Sequence, residues 1–147
     1  MSQSMALVTS SGFAHVRLTV TDITRSKDFY DRIFGWDVAV DQSSHVGEPG
    51  VRESPEQAYG GVIYQTPSGT LFGLRPVGGQ GFDSEHTGLD HVSFQVGSRD
   101  DLVEARKALE AAGIEHGEVN DLTKAGLAIL SFSDPDGIHL ELSAPLG

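Results

Sequence analysis

Apolar and polar residues alternate along four short segments of the chain, and these segments form two matching pairs. Segment 13–20 aligns without gaps with segment 89–96, and segment 67–74 aligns in the same way with segment 135–142. Side chains point to opposite faces along a β-strand, so this alternation predicts half-buried strands. The repeat indicates two duplicated supersecondary units that bury a common core.

Each half also carries a helical segment between its two matched blocks. In the first half, Asp22 is placed to cap the helix and Gly35 to end it. In the second half, Ser98 followed by Asp101 resembles a capping box, and Gly113 comes after the last apolar position. The remaining pattern predicts a β-α-β-β-β order in each half.

The predicted architecture is therefore an α+β fold built from two βαβββ modules. We place these modules at about 12–78 and 87–146, within a single domain that spans 1–147. Neither half alone is long enough to bury a core of ordinary size. The small and polar residues of 1–11 predict a flexible tail.

Two segments lack a clear periodicity. Segment 76–86 is rich in glycine and is interpreted as the linker between the halves. Segment 41–60 is rich in Ser, Gly, Pro and Glu, and it predicts either a long loop or an irregular edge strand.

Strand parity separates an apolar face from a polar face in the four matched strands. His15 and His91 hold equivalent positions of the repeat, and Glu141 belongs to the same predicted polar face. Two imidazoles and one carboxylate can hold a divalent ion and leave coordination positions open for a substrate. The polar face is interpreted either as plain solvent-exposed surface or as the lining of a polar cup.

Other polar side chains on this face are candidates for binding a substrate. The arginines can neutralise an anionic group and the others can hydrogen-bond a ligand, but each can equally pair at the surface or face water. This candidate set comprises Arg17, Arg75, Ser93, Gln95 and His139. His45, His86 and His116 fall in loops or at edges and are interpreted as solvated. No residue order indicates a nucleophilic triad, so the catalytic residues are left unassigned.

Composition narrows the classes of partner. The chain has 10 basic and 21 acidic residues, for a net charge of -11, which disfavours binding to nucleic acid or to an anionic membrane surface. No apolar run is long enough to span a bilayer. The absence of cysteine excludes disulfides and thiolate chemistry and suits a cytoplasmic location.

Two motifs carry a resemblance to a known family. The helix at 26–36 reads SxxFYxxxxGW, and the chain closes with DPDGIHLEL at 134–142. Together with a histidine opening each module, they resemble the vicinal oxygen chelate superfamily over about residues 13–145. That superfamily includes glyoxalase I, bleomycin-resistance proteins, fosfomycin-resistance transferases, methylmalonyl-CoA epimerases and extradiol dioxygenases.

The resemblance implies a cupped mixed sheet with helices on its convex side and a metal on its concave face. The metal positions of the superfamily fall on His15, Gly73, His91 and Glu141. Glycine cannot ligate, which disfavours glyoxalase I and epimerase activity. The second half has no tyrosine, which disfavours extradiol ring cleavage, and Arg17 stands where fosfomycin-resistance transferases have threonine.

The sequence thus predicts a glyoxalase- or dioxygenase-like protein with one divalent ion per site (Fe, Mn, Ni or Zn) held by His15, His91 and Glu141. It would be a cytoplasmic homodimer and a metal-dependent lyase, isomerase, transferase or dioxygenase that acts on a small oxygen-chelating substrate. The alternative is a metal-free antibiotic-resistance protein of the bleomycin-resistance type, which sequesters a small molecule.

Overall fold

A computed structural model describes residues 6–147 of the chain. The chain divides into two compact units, Met1–Gly78 and Gly79–Gly147, and the boundary falls within segment 76–86. Residues 1–5 of the predicted tail lie outside the described part, and residues 6–11 form neither helix nor strand. No helix within residues 6–147 is long and apolar enough to cross a membrane.

The first unit has the predicted β-α-β-β-β order. Its four strands form one mixed sheet in the order β1-β4-β3-β2, in which β1 runs parallel to β4 and the other neighbours are antiparallel. The elements are β1 (His15–Thr19), α1 (Ile23–Ile33), β2 (Asp37–Asp41), β3 (Val62–Gln65) and β4 (Leu71–Arg75).

The second unit repeats this plan with the sheet order β5-β8-β7-β6, and β5 runs parallel to β8. Its elements are β5 (Val92–Gln95), α2 (Arg99–Ala111), β6 (Asn120–Leu122), β7 (Leu127–Ser133) and β8 (His139–Pro145). The predicted fold class of two βαβββ modules is therefore confirmed. Strand β6 has three residues, all exposed, so no hydrophobic alternation marks its place in the sequence.

Both helices begin at the predicted caps. The Asp22 side chain accepts a hydrogen bond from the backbone N–H of Arg25 (3.2 Å), and the Ser98 hydroxyl accepts one from the N–H of Asp101 (3.3 Å). A capping side chain of this kind contributes about 1 kcal/mol to stability.

The apolar face of each sheet packs under its own helix, as parity predicts. In the first unit, α1 packs on β4, and the ring of Tyr30 lies 5.2 Å from that of Phe72, centroid to centroid. In the second unit, α2 packs on β7 and β8, with Leu102 and Leu140 fully buried. This arrangement leaves the opposite face of each sheet available for the polar side chains.

Segment 41–60 is a long loop and not an irregular edge strand. After β2 ends, the described residues turn through three short 3₁₀ helices, Ser43–His45, Val51–Glu53 and Pro55–Gly60. The loop returns to the sheet at Gly61, where a Cβ would lie 1.8 Å from the carbonyl oxygen of Leu74. Only a glycine permits this approach, so the end of the loop is held against β4.

Backbone pairing in the two sheets confirms the register of the repeat. In the first unit, Arg17 of β1 pairs with Gly73 of β4, and in the second, Ser93 of β5 pairs with Glu141 of β8. The two pairs are equivalent by sequence and by strand geometry. Position 73 in the first module therefore corresponds to the glutamate of the second.

Candidate metal and ligand site

The second unit brings together two of the three predicted metal ligands. His91, directly before β5, has its Nε2 3.6 Å from Oε2 of Glu141 on β8. The Glu141 side chain is 17% exposed and that of His91 is 42% exposed. Both side chains belong to the polar face of this sheet, so an imidazole nitrogen and a carboxylate oxygen converge there, and both remain partly exposed.

Each of these two side chains is held by a neighbour. Nδ1 of His91 donates to Oδ1 of Asp90 (2.6 Å), and the Ser143 hydroxyl donates to Oε2 of Glu141 (3.1 Å). Ser143 and Ser93 are also hydrogen-bonded through their hydroxyls. Because the Ser143 hydrogen is directed to the carboxylate, Ser93 is the donor in that bond. These contacts form a continuous row in the order Ser93, Ser143, Glu141, His91 and Asp90.

The charges of this row raise the pKa of His91. The largest cause is the hydrogen bond to Asp90; partial burial acts in the opposite direction, and the attraction of Glu141 adds to the increase. With Nδ1–H committed to Asp90, Nε2 is the nitrogen that faces Glu141. A carboxylate on the distal nitrogen is the usual partner of a metal-ligating histidine, since it orients the ring and increases its basicity.

The donor set suits a divalent transition metal, for which mixed imidazole and carboxylate ligation is common. His15, the third predicted ligand, opens β1 in the first unit and has an exposed side chain on the polar face of that sheet. Within residues 6–147, no group of three or more His, Asp or Glu side chains is assembled in a way that could hold a metal. His91 and Glu141, both in the second unit, are thus the two predicted metal ligands that lie close together.

The remaining ligand candidates differ in their surroundings. Ser93 belongs to the hydrogen-bonded row, and Gln95 is exposed on β5. The His139 ring meets the Phe82 ring edge-on, with 5.3 Å between the centroids. Phe82 comes from the glycine-rich segment, where no pattern in the sequence connects it with β8.

Arg17 and Arg75 are joined by a residue that the sequence did not single out. The guanidinium carbon Cζ of Arg75 lies 3.9 Å from the centroid of the Tyr59 ring, and that of Arg17 lies 5.6 Å from it. Tyr59 comes from the last 3₁₀ helix of the long loop. We call these three residues the arginine–tyrosine cluster of the first module.

Asp90 and Ser143 were also missed as site residues, although signals for them exist. Asp90 directly precedes His91 in the sequence, and Ser143 shares the strand parity of Glu141. Tyr59 had no such signal, because it lies in a loop without periodicity.

The interpretation of His116 as a solvated residue is wrong. Its side chain is 7% exposed, and its two ring nitrogens contact the carbonyl oxygen of Gly117 (2.6 Å) and Oε1 of Glu110 (2.8 Å). Both partners are acceptors, so both nitrogens must donate, which favours the imidazolium and raises the pKa of His116. This histidine joins the end of α2 to the sheet. His45 and His86, by contrast, are exposed, and each pairs with a nearby acidic residue.

Comparison with a protein-family model agrees with the fold and the repeat. Residues 12–142 match the model of the Glyoxalase/Bleomycin resistance protein/Dioxygenase superfamily. The chain belongs to this superfamily. The resemblance to vicinal oxygen chelate proteins is thereby confirmed for most of the chain.

Solved structures of the glyoxalase/bleomycin resistance protein/dioxygenase type are similar over nearly the whole chain. A domain from Frankia sp. EAN1pec is 30% identical, with 93% of each chain covered and a TM-score of 0.73. A glyoxalase/dioxygenase from Nostoc punctiforme is 20% identical, covers 93% of this chain and 92% of its own, and has a TM-score of 0.64.

The third similar structure contains a metal. It is a single-residue mutant of the fosfomycin resistance protein FosX from Listeria monocytogenes, complexed with Mn(II) and 1S,2S-dihydroxypropylphosphonic acid. It is 18% identical, with 93% of this chain and 94% of that chain covered and a TM-score of 0.67, a likeness of fold. No protein of curated function matches the chain.

Proposed function

We propose that this superfamily member is a metal-dependent enzyme that acts on a small oxygen-chelating substrate. His91 and Glu141 would hold the divalent ion (Fe, Mn, Ni or Zn), and His15 of the first module would supply the third ligand. The observation that carries the proposal is the His91–Glu141 pair, with Nε2 and Oε2 3.6 Å apart and Asp90 on the distal nitrogen.

The ion, when bound, would act as a Lewis acid that polarises a carbonyl or stabilises an enolate-like oxygen of the substrate. The residues of the chain have separate roles around it. Ser143 donates to Oε2 of Glu141, the same oxygen that faces His91, and thereby orients the carboxylate. Glu141, a partly buried carboxylate on the polar face of the sheet, is also the proposed acceptor of a substrate proton. Gln95 and His139 are the proposed hydrogen-bonding residues for the rest of the substrate.

The FosX structure with Mn(II) and a dihydroxypropylphosphonic acid supports this class of ligand for the fold. We further propose a cytoplasmic homodimer. Light scattering at micromolar protein concentration tests the dimer directly, and a monomer mass would contradict it.

Metal analysis of protein purified without a histidine tag tests the proposed function. We expect about one divalent ion per chain, and His91→Ala should abolish binding, because two remaining ligands rarely retain a divalent ion. His86→Ala is the matched control, since it removes an exposed histidine from the same unit and should leave the metal content unchanged. Undiminished metal in His91→Ala would contradict the site.

One observation favours a second candidate function, the metal-free sequestering protein. Position 73, the fourth ligand position of the superfamily, is a glycine, and the Arg17 side chain covers it. A binder of this kind would take up its ligand equally well before and after treatment with a chelator. Loss of ligand binding on chelation would exclude it in favour of the metal-dependent enzyme.

A further inference from the structure

Two guanidinium groups converge in the first module without an acidic residue between them. Arg17 and Arg75 lie on the adjacent parallel strands β1 and β4, two residues apart in the strand register, and their side chains share the polar face of the sheet. Both approach the ring of Tyr59, at 5.6 and 3.9 Å from guanidinium carbon to ring centroid. The arginine–tyrosine cluster therefore concentrates two positive charges at one place in a protein of net charge -11.

These charges lack the partners that other basic residues of the chain have. Lys27, Arg99, Arg106 and Lys107 each pair with a carboxylate, whereas no ion pair within residues 6–147 includes Arg17 or Arg75. Moreover, Nε of Arg75 is buried and has no hydrogen-bond partner among residues 6–147. A buried donor without an acceptor is unfavourable, and a charged one more so. The cluster thus has an unmet requirement for an acceptor with negative charge.

The surrounding backbone is built to hold the cluster. A Cβ at Gly73 would lie 3.2 Å from Nε of Arg17, so the glycine permits this side chain to lie close against the sheet. Tyr59 has a φ of 57° and Ala58 a φ of 48°, both in the left-handed region that non-glycine residues rarely adopt. Strain of this kind persists when the surroundings over-determine it, and it concentrates at ligand sites. Two residues after Tyr59, the backbone of Gly61 lies directly against the carbonyl oxygen of Leu74.

We infer that Arg17 and Arg75, which both contact the Tyr59 ring, form an oxyanion-binding site for a small molecule that carries a carboxylate or a phosphoryl group. Guanidinium groups suit both anions, since their planar N–H donors match pairs of carboxylate or phosphate oxygens. The Tyr59 ring supports the Arg75 guanidinium by a cation–π contact and thereby orients its donors. The inference rests on the proposed function only in regarding this ligand as the substrate; the site itself requires no metal.

The test uses the full chain after removal of metal by a chelator, and the probes are inorganic phosphate, methylphosphonate and acetate. The readout is the side-chain Nε–Hε NMR signal of Arg75, which is assigned by its absence in Arg75→Lys. We expect a saturable shift of this signal. The probe with the highest affinity distinguishes a phosphoryl ligand from a carboxylate ligand.

Variants separate this site from general charge attraction, with binding followed through the backbone amide signals. Arg17→Gln and Arg75→Gln should each weaken binding at least about tenfold, because each removes charge-assisted hydrogen bonds to the anion. Tyr59→Asn should weaken binding less, because the ring only supports the arginines. Asparagine is chosen because it tolerates the left-handed backbone at this position. Arg32→Gln, at an exposed position of α1, removes the same charge elsewhere in the module and should have no effect.

The inference is overturned if no probe gives a saturable shift, or if Arg32→Gln weakens binding as much as Arg17→Gln does. If Arg75→Gln does not fold, Arg17→Gln and the charge-preserving Arg75→Lys give the same decision, since both should bind less tightly than the wild type. These measurements are made without metal, so they do not depend on the proposed metal site. Absence of bound metal would contradict the proposed function, whereas absence of anion binding would contradict only the oxyanion site.

Discussion

The two modules carry side chains of opposite charge in the equivalent register pair of their parallel strands. In the first module, Arg17 pairs with Gly73 across parallel strands, and in the second, Ser93 pairs with Glu141. Each pair combines one long charged side chain with one small residue. Neighbouring strands lie only about 4.8 Å apart, so a small residue on one strand leaves room for the long side chain of the other. The duplicated backbone thus tolerates either sign of charge, provided that the size complementarity is kept.

This difference explains the asymmetry of the candidate site. The charge of the second module is a carboxylate, held by Ser143 and close to His91, which suits a cation. That of the first module is a guanidinium beside a second arginine and an aromatic ring, which suits an anion.

The largest expected effect comes from converting the second module into the first. In Ser93→Arg/Glu141→Gly, the register pair keeps one long and one small residue but changes its charge, so the fold should survive and metal binding should be lost. Metal content after dialysis checks this, with circular dichroism as the control for folding. Metal retained at the wild-type level would mean that Glu141 is not a ligand.

Removing the partner of the histidine should have a smaller effect. Asp90→Asn keeps an oxygen acceptor for Nδ1–H but removes the charge, and loss of such a partner typically weakens metal affinity by about 10- to 100-fold. Competitive chelator titration measures this change. Asp83→Asn, which affects the exposed His86 pair of the same unit, should leave the affinity unchanged.

The converse exchange gives the first module the register pair of the second, in the variant Arg17→Ser/Gly73→Glu. It should strengthen metal binding by about tenfold, because it adds a fourth ligand where the superfamily has one. Gly73→Glu alone would bring its carboxylate beside Arg17, whose Nε lies 3.2 Å from the new Cβ position, and the two would pair. We therefore expect the full increase in Zn(II) or Ni(II) affinity only in Arg17→Ser/Gly73→Glu. A folded double variant with unchanged or weaker affinity would show that position 73 does not face the metal.

The smallest expected effect concerns the pH dependence of stability, through a histidine of the second module. The pKa of His116 is raised in the folded state by its hydrogen bonds to Gly117 and Glu110, while burial and, to a smaller extent, Arg106 act in the opposite direction. Its stabilising contribution is therefore complete below the unfolded pKa of about 6.5 and is lost as the pH rises through the folded pKa.

Thermal unfolding of the wild type and His116→Gln at pH 5.5 and 8.5 checks this prediction. The difference in melting temperature between the two proteins should be larger at pH 5.5, because only the imidazolium can donate from both ring nitrogens. An equal difference at both pH values would mean that His116 acts by packing alone. His45→Gln is the control, since that histidine is exposed.

Much of the fold could be predicted from the sequence, since it depends on local periodicity. Alternation in segments 13–20 and 135–142 places β1 and β8. Asp22 and Ser98 mark the starts of the two helices. The ungapped repeat establishes that positions 73 and 141 are equivalent. Parity alone is sufficient to put His91 and Glu141 on one face. These properties are encoded within a few residues of where they act, because the strand and helix periods constrain every side chain in an element.

Only the tertiary structure decided how segments distant in sequence meet. The approach of Tyr59 to Arg75, the contact of Phe82 with His139 and the burial of His116 each join residues that share no periodic pattern. The long loop returns to β4 through the close contact of Gly61 with Leu74, and Tyr59, two residues earlier, has a left-handed backbone that its residue type does not favour. Loop conformation is determined by the packing of the whole loop against the sheet, so it cannot be read from alternation along the chain.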